Sequence, residues 1–337
     1  MSARGLHVHG VGHFHPENVL DNRFLEELDI GTNEEWILER VGIRTRRTVL
    51  PLDYIRKTRN VDVRAGQEAA LYSNVETGRR AALHALSRAG LQPSDIGLVV
   101  AGGCCPEMAI PSESCRIAAA LGIEAPGIDV NSACSSFGAQ LHLLAGLARG
   151  GALPRFVLIV NPENTTRVID YSDRATTVLW GDGTSAAVVS AEEPARVAIV
   201  STTLASSPSG WQAVIIPRSG HFAQQGNAVQ RFAIKTSIGC LEGMLPAARA
   251  RAAETGGTVR FIGHQANRLM LDGIVRRLAL DDAQHWHNVV DYGNTGAAGA
   301  PTVLSQHWDE LAAGDQICLV VVGAGLTWSS VHLEVGK

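Results

Sequence analysis

Two stretches of this 337-residue chain, 128–189 and 288–335, run through the same order of elements. An internal repeat constrains architecture more than any single motif does. The first reads as a short strand (127–130), a turn of small residues (131–136), a helix (137–149), a buried strand (156–160) and a last strand (185–190). The second reads as a strand (288–290), a turn (292–296), a helix (297–311), a strand (317–322), a Gly turn and a final strand (329–335). Upstream, 95–101 and 259–263 are matching apolar strands, each leading into a helix that ends near Leu121 or Leu280. Continuous apolar strands alternating with amphipathic helices describe sheets covered on both faces. The expected fold is therefore α/β: two duplicated halves, 1–190 and 191–337, stacked as a five-layer α/β/α/β/α sandwich. Equivalent loops of the halves then meet at one pseudo-symmetric cleft. A duplicated structural protein would show the same repeat, so function must come from the cleft residues.

Composition narrows the classes. Apolar residues make up 45% and the net charge is −4, which advertises no nucleic-acid surface. No apolar run reaches the length of a membrane span, and residues 1–16 lack the apolar core of a signal peptide, so the expectation is a cytoplasmic protein. The six cysteines, at 104, 105, 115, 134, 240 and 318, form no CxxC pair and no zinc-type spacing; no metal is expected. In a reducing compartment most are expected to be small buried apolar residues. Two segments break the repeat: 50–80, polar and basic before turning helix-like, and 203–228, rich in Gly, Ser and Gln and expected to be a flap.

Three residues stand at topologically related strand ends. Cys134 lies in the turn between strand 127–130 and helix 137–149, where helix N–H groups and the dipole favour a thiolate. A thiolate is the competent nucleophile toward a thioester. His264 follows strand 259–263, and Asn294 occupies the turn of the second half equivalent to that of Cys134. Their joint chemistry is acyl loading on Cys134, then stabilisation of an enolate oxygen by His264 and Asn294. Backbone N–H groups near Cys134 and in the Gly323–Gly325 turn serve the other oxyanion.

These motifs carry a resemblance. Asn131-Ser-Ala-Cys134-Ser-Ser-Phe, Trp180-Gly-Asp-Gly183, Gly263-His264-Gln-Ala-Asn267 and Gly293-Asn294-Thr occur in the order of the β-ketoacyl-ACP synthase III family of the thiolase superfamily, which the chain resembles over nearly its whole length. The resemblance implies the thiolase fold, a homodimer, acyl-CoA as substrate, an acyl carrier protein as partner and no tightly bound cofactor. The segment from Thr32 through Trp36 and Arg40 looks like the family's coenzyme A region. There Trp36 and Arg174 would sandwich the adenine, with Thr32 nearby, and Asn267 would position water or the carrier arm. Acetyl-specific members have an aromatic residue where Ile110 stands, reaching across the dimer to close the acyl pocket; Ile110 implies a longer or differently shaped primer. Gln230 stands near where those members carry a pocket phenylalanine, and Gly325 belongs to the same pocket. Arg268, Arg276 and Arg277 offer positive charge to an acidic carrier. The 50–80 segment looks like an insertion of the kind seen in relatives that join or transfer acyl chains in secondary metabolism.

Decarboxylative condensation with a malonyl thioester, or condensation with a β-ketoacyl thioester, competes with two other functions. One is acyl transfer from Cys134 to an alcohol or amine, which needs a base for the acceptor; the retained pair His264 and Asn294 favours condensation. The other is an inactive partner subunit, which the intact Cys134 disfavours. Gly293–Gly299 is not a dinucleotide fingerprint, because no acidic residue follows on a second strand. His7, His9, His13 and His15 alternate as on a strand, without carboxylates to complete a metal site.

Overall fold

The computed structural model describes residues 5–336. Nine strands form one continuous sheet in the order Val259–Gly263, Gln316–Gly323, Thr327–Val335, Val197–Ser206, His7–Phe14, Gly183–Ser190, Val157–Glu163, Leu98–Ala101, Gly127–Asp129. Among the described residues the two half-sheets join where His7 and Val8 pair with Ala198 and Val197. Within each half the strands farthest from that junction are parallel and those nearer it antiparallel: Leu98–Ala101 runs parallel to Gly127–Asp129 and Val157–Glu163, and Val259–Gly263 parallel to Gln316–Gly323, whereas Gly183–Ser190 and Thr327–Val335 run antiparallel to both their neighbours.

Helices Ser136–Arg149 and Gly299–Gln306 lie between the half-sheets. Phe137, Leu141, Leu144, Val303 and Leu304 share one apolar core with Ile159 of the first half and Leu319, Val321 and Val331 of the second. Asn74–Ala89 and Glu113–Leu121 cover the outer face of the first half. Gly226–Thr255 and Arg268–Arg277 cover that of the second. The layers are thus α/β/α/β/α, as expected. Small residues set their spacing. A Cβ at Gly12 would lie 2.3 Å from the Ala81 carbonyl oxygen, so Gly12 admits the Ala-rich face of Asn74–Ala89 against the sheet.

The strand expected at 288–290 does not form; Val289–Tyr292 is a short helix. The chain touches the sheet edge earlier, where His285 bridges Phe261 and the Trp286 N–H donates to the Phe261 carbonyl at 3.0 Å. The Gln265 side-chain oxygen then accepts the N–H groups of Asn288 (3.0 Å) and Val289 (3.2 Å), taking the donors a neighbouring strand would have used. The helix expected over 297–311 is shorter, Gly299–Gln306, flanked by 3₁₀ turns. Residues 50–80 form helices Leu52–Thr58 and Val63–Ala69 and the start of Asn74–Ala89. Residues 203–228 hold a two-stranded ribbon, Val214–Ile215 with Ala223–Gln224. Among the described residues no helix is long and apolar enough to cross a membrane.

Candidate active site

The turn carrying Cys134 is tight. Ala133 takes a left-handed conformation (φ 47°), which costs a residue with a Cβ and lifts the next side chain off the sheet end. Ser132 aligns the turn: its N–H donates to Ser136 Oγ (2.9 Å) and its carbonyl accepts from the Ser135 N–H (3.0 Å). Gly323 closes it from the second half, since a Cβ there would lie 3.0 Å from the Cys134 nitrogen. Cys134 therefore stands just before helix Ser136–Arg149, with sequence-distant backbone packed against it.

Cys134, His264 and Asn294 line one cavity of about 270 Å³. Each is buried, at 7%, 7% and 6% exposure. The Asn294 side-chain oxygen accepts the Gly296 N–H at 3.0 Å, which leaves its amide NH₂ as the free group. The Asn294 backbone pairs with Leu179 and Gly181, so the turn is held to the first half. Cys134 Sγ lies 3.5 Å from Cys104 Sγ. The Cys104 thiol holds the Cys134 thiol well below the usual range; the His264 side chain and the backbone N–H of Cys134 add to this, against the cost of burial. Cys104 retains its proton, its ionisation pushed up by the same contact and by burial.

Glu163, at the end of a fully buried strand, is a member of the site that the sequence pattern did not single out. It accepts the N–H of Cys104 (2.9 Å), the N–H of Ala297 (2.8 Å) and the Thr165 hydroxyl (3.1 Å). Burial, and then the charge of Cys134, push its carboxyl up to about 8. The only available signal was an acid placed three residues after the end of the apolar run 156–160. Cys104 is a second such member, a position where the sequence alone suggests only a small buried apolar residue.

The family model for 3-oxoacyl-[acyl-carrier-protein] synthase III matches residues 128–208, and the model for the C-terminal part of that enzyme matches 252–335. A beta-ketoacyl-[acyl-carrier-protein] synthase III of Oceanobacillus iheyensis is 32% identical over 336 residues, covering 97% of this chain and 98% of the relative. A beta-ketoacyl-[acyl-carrier-protein] synthase III 2 of Streptomyces avermitilis is 34% identical over 335 residues, covering 96% and 97%. The crystal structure of 3-oxoacyl-[acyl-carrier-protein] synthase III from Aquifex aeolicus VF5 is similar with a TM-score of 0.84 at 27% identity, over 98% of this chain and all of that one. The chain belongs to the 3-oxoacyl-[acyl-carrier-protein] synthase III family. As a synthase III it is a condensing enzyme of the acyltransferase class, with the thiolase fold.

The remaining expected residues divide around the synthase III cavity. Trp36, Arg40, Gln230 and Asn267 line it, with Val214, Phe222 and Gln224 from the ribbon. Trp36 and Arg174 do not stand apart as an open slot: the guanidinium lies 5.0 Å from the Trp36 ring, and it also donates to the Gly31 carbonyl at 2.5 Å. Arg40 approaches the same ring at 6.0 Å. Thr32 is half-buried with an unpartnered hydroxyl and is not on the cavity wall. Asn267 caps helix Arg268–Arg277 by accepting the Met270 N–H at 2.8 Å. Gly325 is half-buried, and its neighbours Ala324 and Leu326 form the wall in its place. Ile110 does not line the cavity of its own chain; it is 84% exposed. Arg268 is engaged within the chain, bonded to Asp272 (2.5 Å) and to His287, whereas Arg276 and Arg277 are exposed. Among the described residues no group of three or more His, Cys, Asp or Glu side chains is arranged to hold a metal.

Proposed function

We propose that the chain takes an acyl group from acyl-CoA onto Cys134 and condenses it, with loss of CO₂, with a malonyl thioester on an acyl carrier protein. The observation that carries this reading is the meeting of Cys134, His264 and the free amide of Asn294 in one cavity. The Cys134 thiolate attacks the thioester carbonyl, a C–S bond forms and the CoA thiolate leaves. The malonyl carboxylate then departs as CO₂, and its bonding pair becomes an enolate. Its oxygen receives hydrogen bonds from His264 and Asn294, donors positioned before charge develops. The enolate carbon attacks the acyl-cysteine and the Cys134 thiolate is regenerated.

Two alternatives are less well served. A β-ketoacyl extender needs a base to remove its proton; no described residue lining the cavity is a carboxylate, Glu163 is tied to backbone outside it, and His264, the imidazole there, is the donor assigned to the enolate oxygen. Transfer to an alcohol or amine also needs a base and has no use for the Asn294 amide. The adenine of CoA belongs at Trp36, with Arg174 or Arg40 swinging to cover the other face. Exposed Arg276 and Arg277 suit an acidic carrier. Ile110 suits a homodimer in which it closes the partner's pocket, and the half-exposed Ile128 lies on the edge strand Gly127–Asp129 that would face the partner. A thiolate enzyme with six free cysteines belongs in the reducing cytoplasm.

The test is intact-mass spectrometry with a panel of acyl-CoAs. Wild type gains one acyl group and Cys134→Ala none; an unchanged adduct in the variant removes the assignment. His264→Ala and Asn294→Ala keep acylation but lose malonyl decarboxylation by about 100-fold or more. CO₂ release at the wild-type rate in both refutes the enolate role.

A further inference from the structure

The approach of Cys104 to Cys134 has a consequence that acyl chemistry does not use. Their sulfurs are 3.5 Å apart, though 30 residues separate them in sequence. A disulfide needs about 2.05 Å, so closure asks for a movement of roughly 1.5 Å. Cys134 sits on a wall open to the cavity, so a small solute reaches it there. Cys104 lies on an irregular segment between strand Leu98–Ala101 and helix Glu113–Leu121, and since Glu163 holds its backbone N–H at 2.9 Å, closure falls to rotation of the two cysteine side chains. Among the described residues no other hydrogen-bond contact joins two cysteine sulfurs, and Cys115 is exposed on a different element, its sulfur against the Gly127 carbonyl.

We infer that Cys104 is a resolving cysteine, and that oxidation of the resting enzyme by a hydroperoxide closes a reversible Cys104–Cys134 disulfide that masks the nucleophile. The Cys134 thiolate attacks the terminal peroxide oxygen; an S–O bond forms, the O–O bond breaks, and hydroxide (alkoxide from an organic hydroperoxide) leaves and takes a proton from solvent to become water or the alcohol. The Cys104 sulfur then attacks the sulfenic sulfur. An S–S bond forms, the S–O bond breaks, and the departing hydroxide takes the Cys104 proton as a second water. The two sulfurs together lose two electrons and the peroxide gains two. The low ionisation of the Cys134 thiol at this contact supplies the attacking thiolate. An acyl group on Cys134 blocks the first step, so only the unloaded enzyme is exposed to it. A disulfide also spares the nucleophile from oxidation to the sulfinic acid, which thiols do not reverse.

The experiment treats the reduced full-length protein with hydrogen peroxide and reads intact mass and a non-reducing peptide map, then adds dithiothreitol. Wild type becomes about 2 Da lighter, with the 104 and 134 peptides linked, and dithiothreitol restores both mass and iodoacetamide labelling of Cys134. Cys104→Ala instead becomes about 32 Da heavier on the Cys134 peptide, and dithiothreitol does not reverse it. Sulfinic acid on Cys134 in the wild type, or a crosslink from Cys134 to any other cysteine, overturns the inference. The readout uses no acyl substrate, so it stands or falls separately from the proposed condensation, and the wild-type map decides the matter even where the variant folds poorly.

Discussion

The Glu163 carboxyl accepts the backbone N–H of Ala297 at 2.8 Å, across the boundary between the two halves of the fold. The same oxygen accepts the Cys104 N–H. One buried side chain thus holds the segment beside the nucleophile and the turn that carries Asn294. The fit leaves no slack: at Gly296, whose φ is 52°, a Cβ would lie 2.6 Å from the Glu163 carboxyl.

Replacing Glu163 therefore separates charge from shape. Glu163→Ala strands two buried N–H groups and a hydroxyl, at about 1–3 kcal/mol each, and is expected to lower stability by roughly 3 kcal/mol or more in urea unfolding. Glu163→Gln keeps an acceptor and resembles the protonated acid, so it stays near wild type at pH 7. The folded carboxyl titrates at about 8, above its ordinary 4.5, so the folded state holds a proton that the unfolded state has lost. Wild-type stability from this group therefore falls as pH rises from 4.5 to 8, and Glu163→Gln should lack that fall. Equal urea midpoints for wild type and Glu163→Ala would show that the tie is idle.

Cys134 is expected to alkylate as a thiolate well below the range of a free thiol. Its ionisation is lowered first by the Cys104 thiol and then by His264. The iodoacetamide rate should hold its plateau down through pH 8.5, the ordinary cysteine value, and fall only as pH drops through the lowered one. Cys104→Ala removes the largest favourable contact and moves the inflection upward. A wild-type inflection at or above about 8.5 contradicts the geometry.

The residues legible in the sequence and those that were not differ in how they reach the site. Cys134 and His264 each follow a strand in a repeated half, and Asn294 follows the short helix Val289–Tyr292 in the turn equivalent to that of Cys134, so the repeat brings them together. The apolar runs that became Val157–Glu163 and Gln316–Gly323 were readable because strands buried on both faces leave continuous apolar segments. Glu163 was not, because its role depends on loops that converge from both halves. Cys104 was not, because a 30-residue separation says nothing about an irregular segment. Two adjacent valines at 289–290 suggested a strand, and only the placement of Gln265 shows why their donors go elsewhere. The resemblance puts Ile110 at an acyl pocket, but it is 84% exposed and does not line the cavity of its own chain.

His15, just past strand His7–Phe14, makes a further pH prediction. His15 donates to or accepts from no carboxylate side chain; its ring meets the Asp182 carbonyl at 3.2 Å and stacks 3.9 Å from Tyr292. Burial, its largest influence, lowers its titration to about 3. Between pH 6.5 and 3 the unfolded chain binds a proton there that the folded chain refuses, so this group's contribution is intact above 6.5 and is lost as pH falls. From pH 7 to pH 5 the loss is up to about 2 kcal/mol. His15→Gln should lose less stability than wild type over the same interval. Parallel pH dependences for the two proteins would refute the assignment.

The Trp36–Arg174 stack predicts how primer recognition divides between kcat and KM. Trp36 lines the cavity, and the guanidinium lies 5.0 Å from its ring without an intervening slot. A base entering here must displace Arg174 from the indole and take its place, then be covered by Arg174 or Arg40. A stacked cation or base is worth about 1–2 kcal/mol at such a site, close to a tenfold effect. Trp36→Ala should therefore raise KM for acyl-CoA roughly tenfold with little change in kcat, because the adenine takes no part in the bond changes and its stacking is equal in ground and transition states. Arg174→Ala should do less, since it also frees the ring for the base. The same variants should leave turnover with an acyl pantetheine primer, which lacks the adenine, near the wild-type value. A parallel loss with that short primer would mean that Trp36 shapes the reactive end of the cavity and not the nucleotide site.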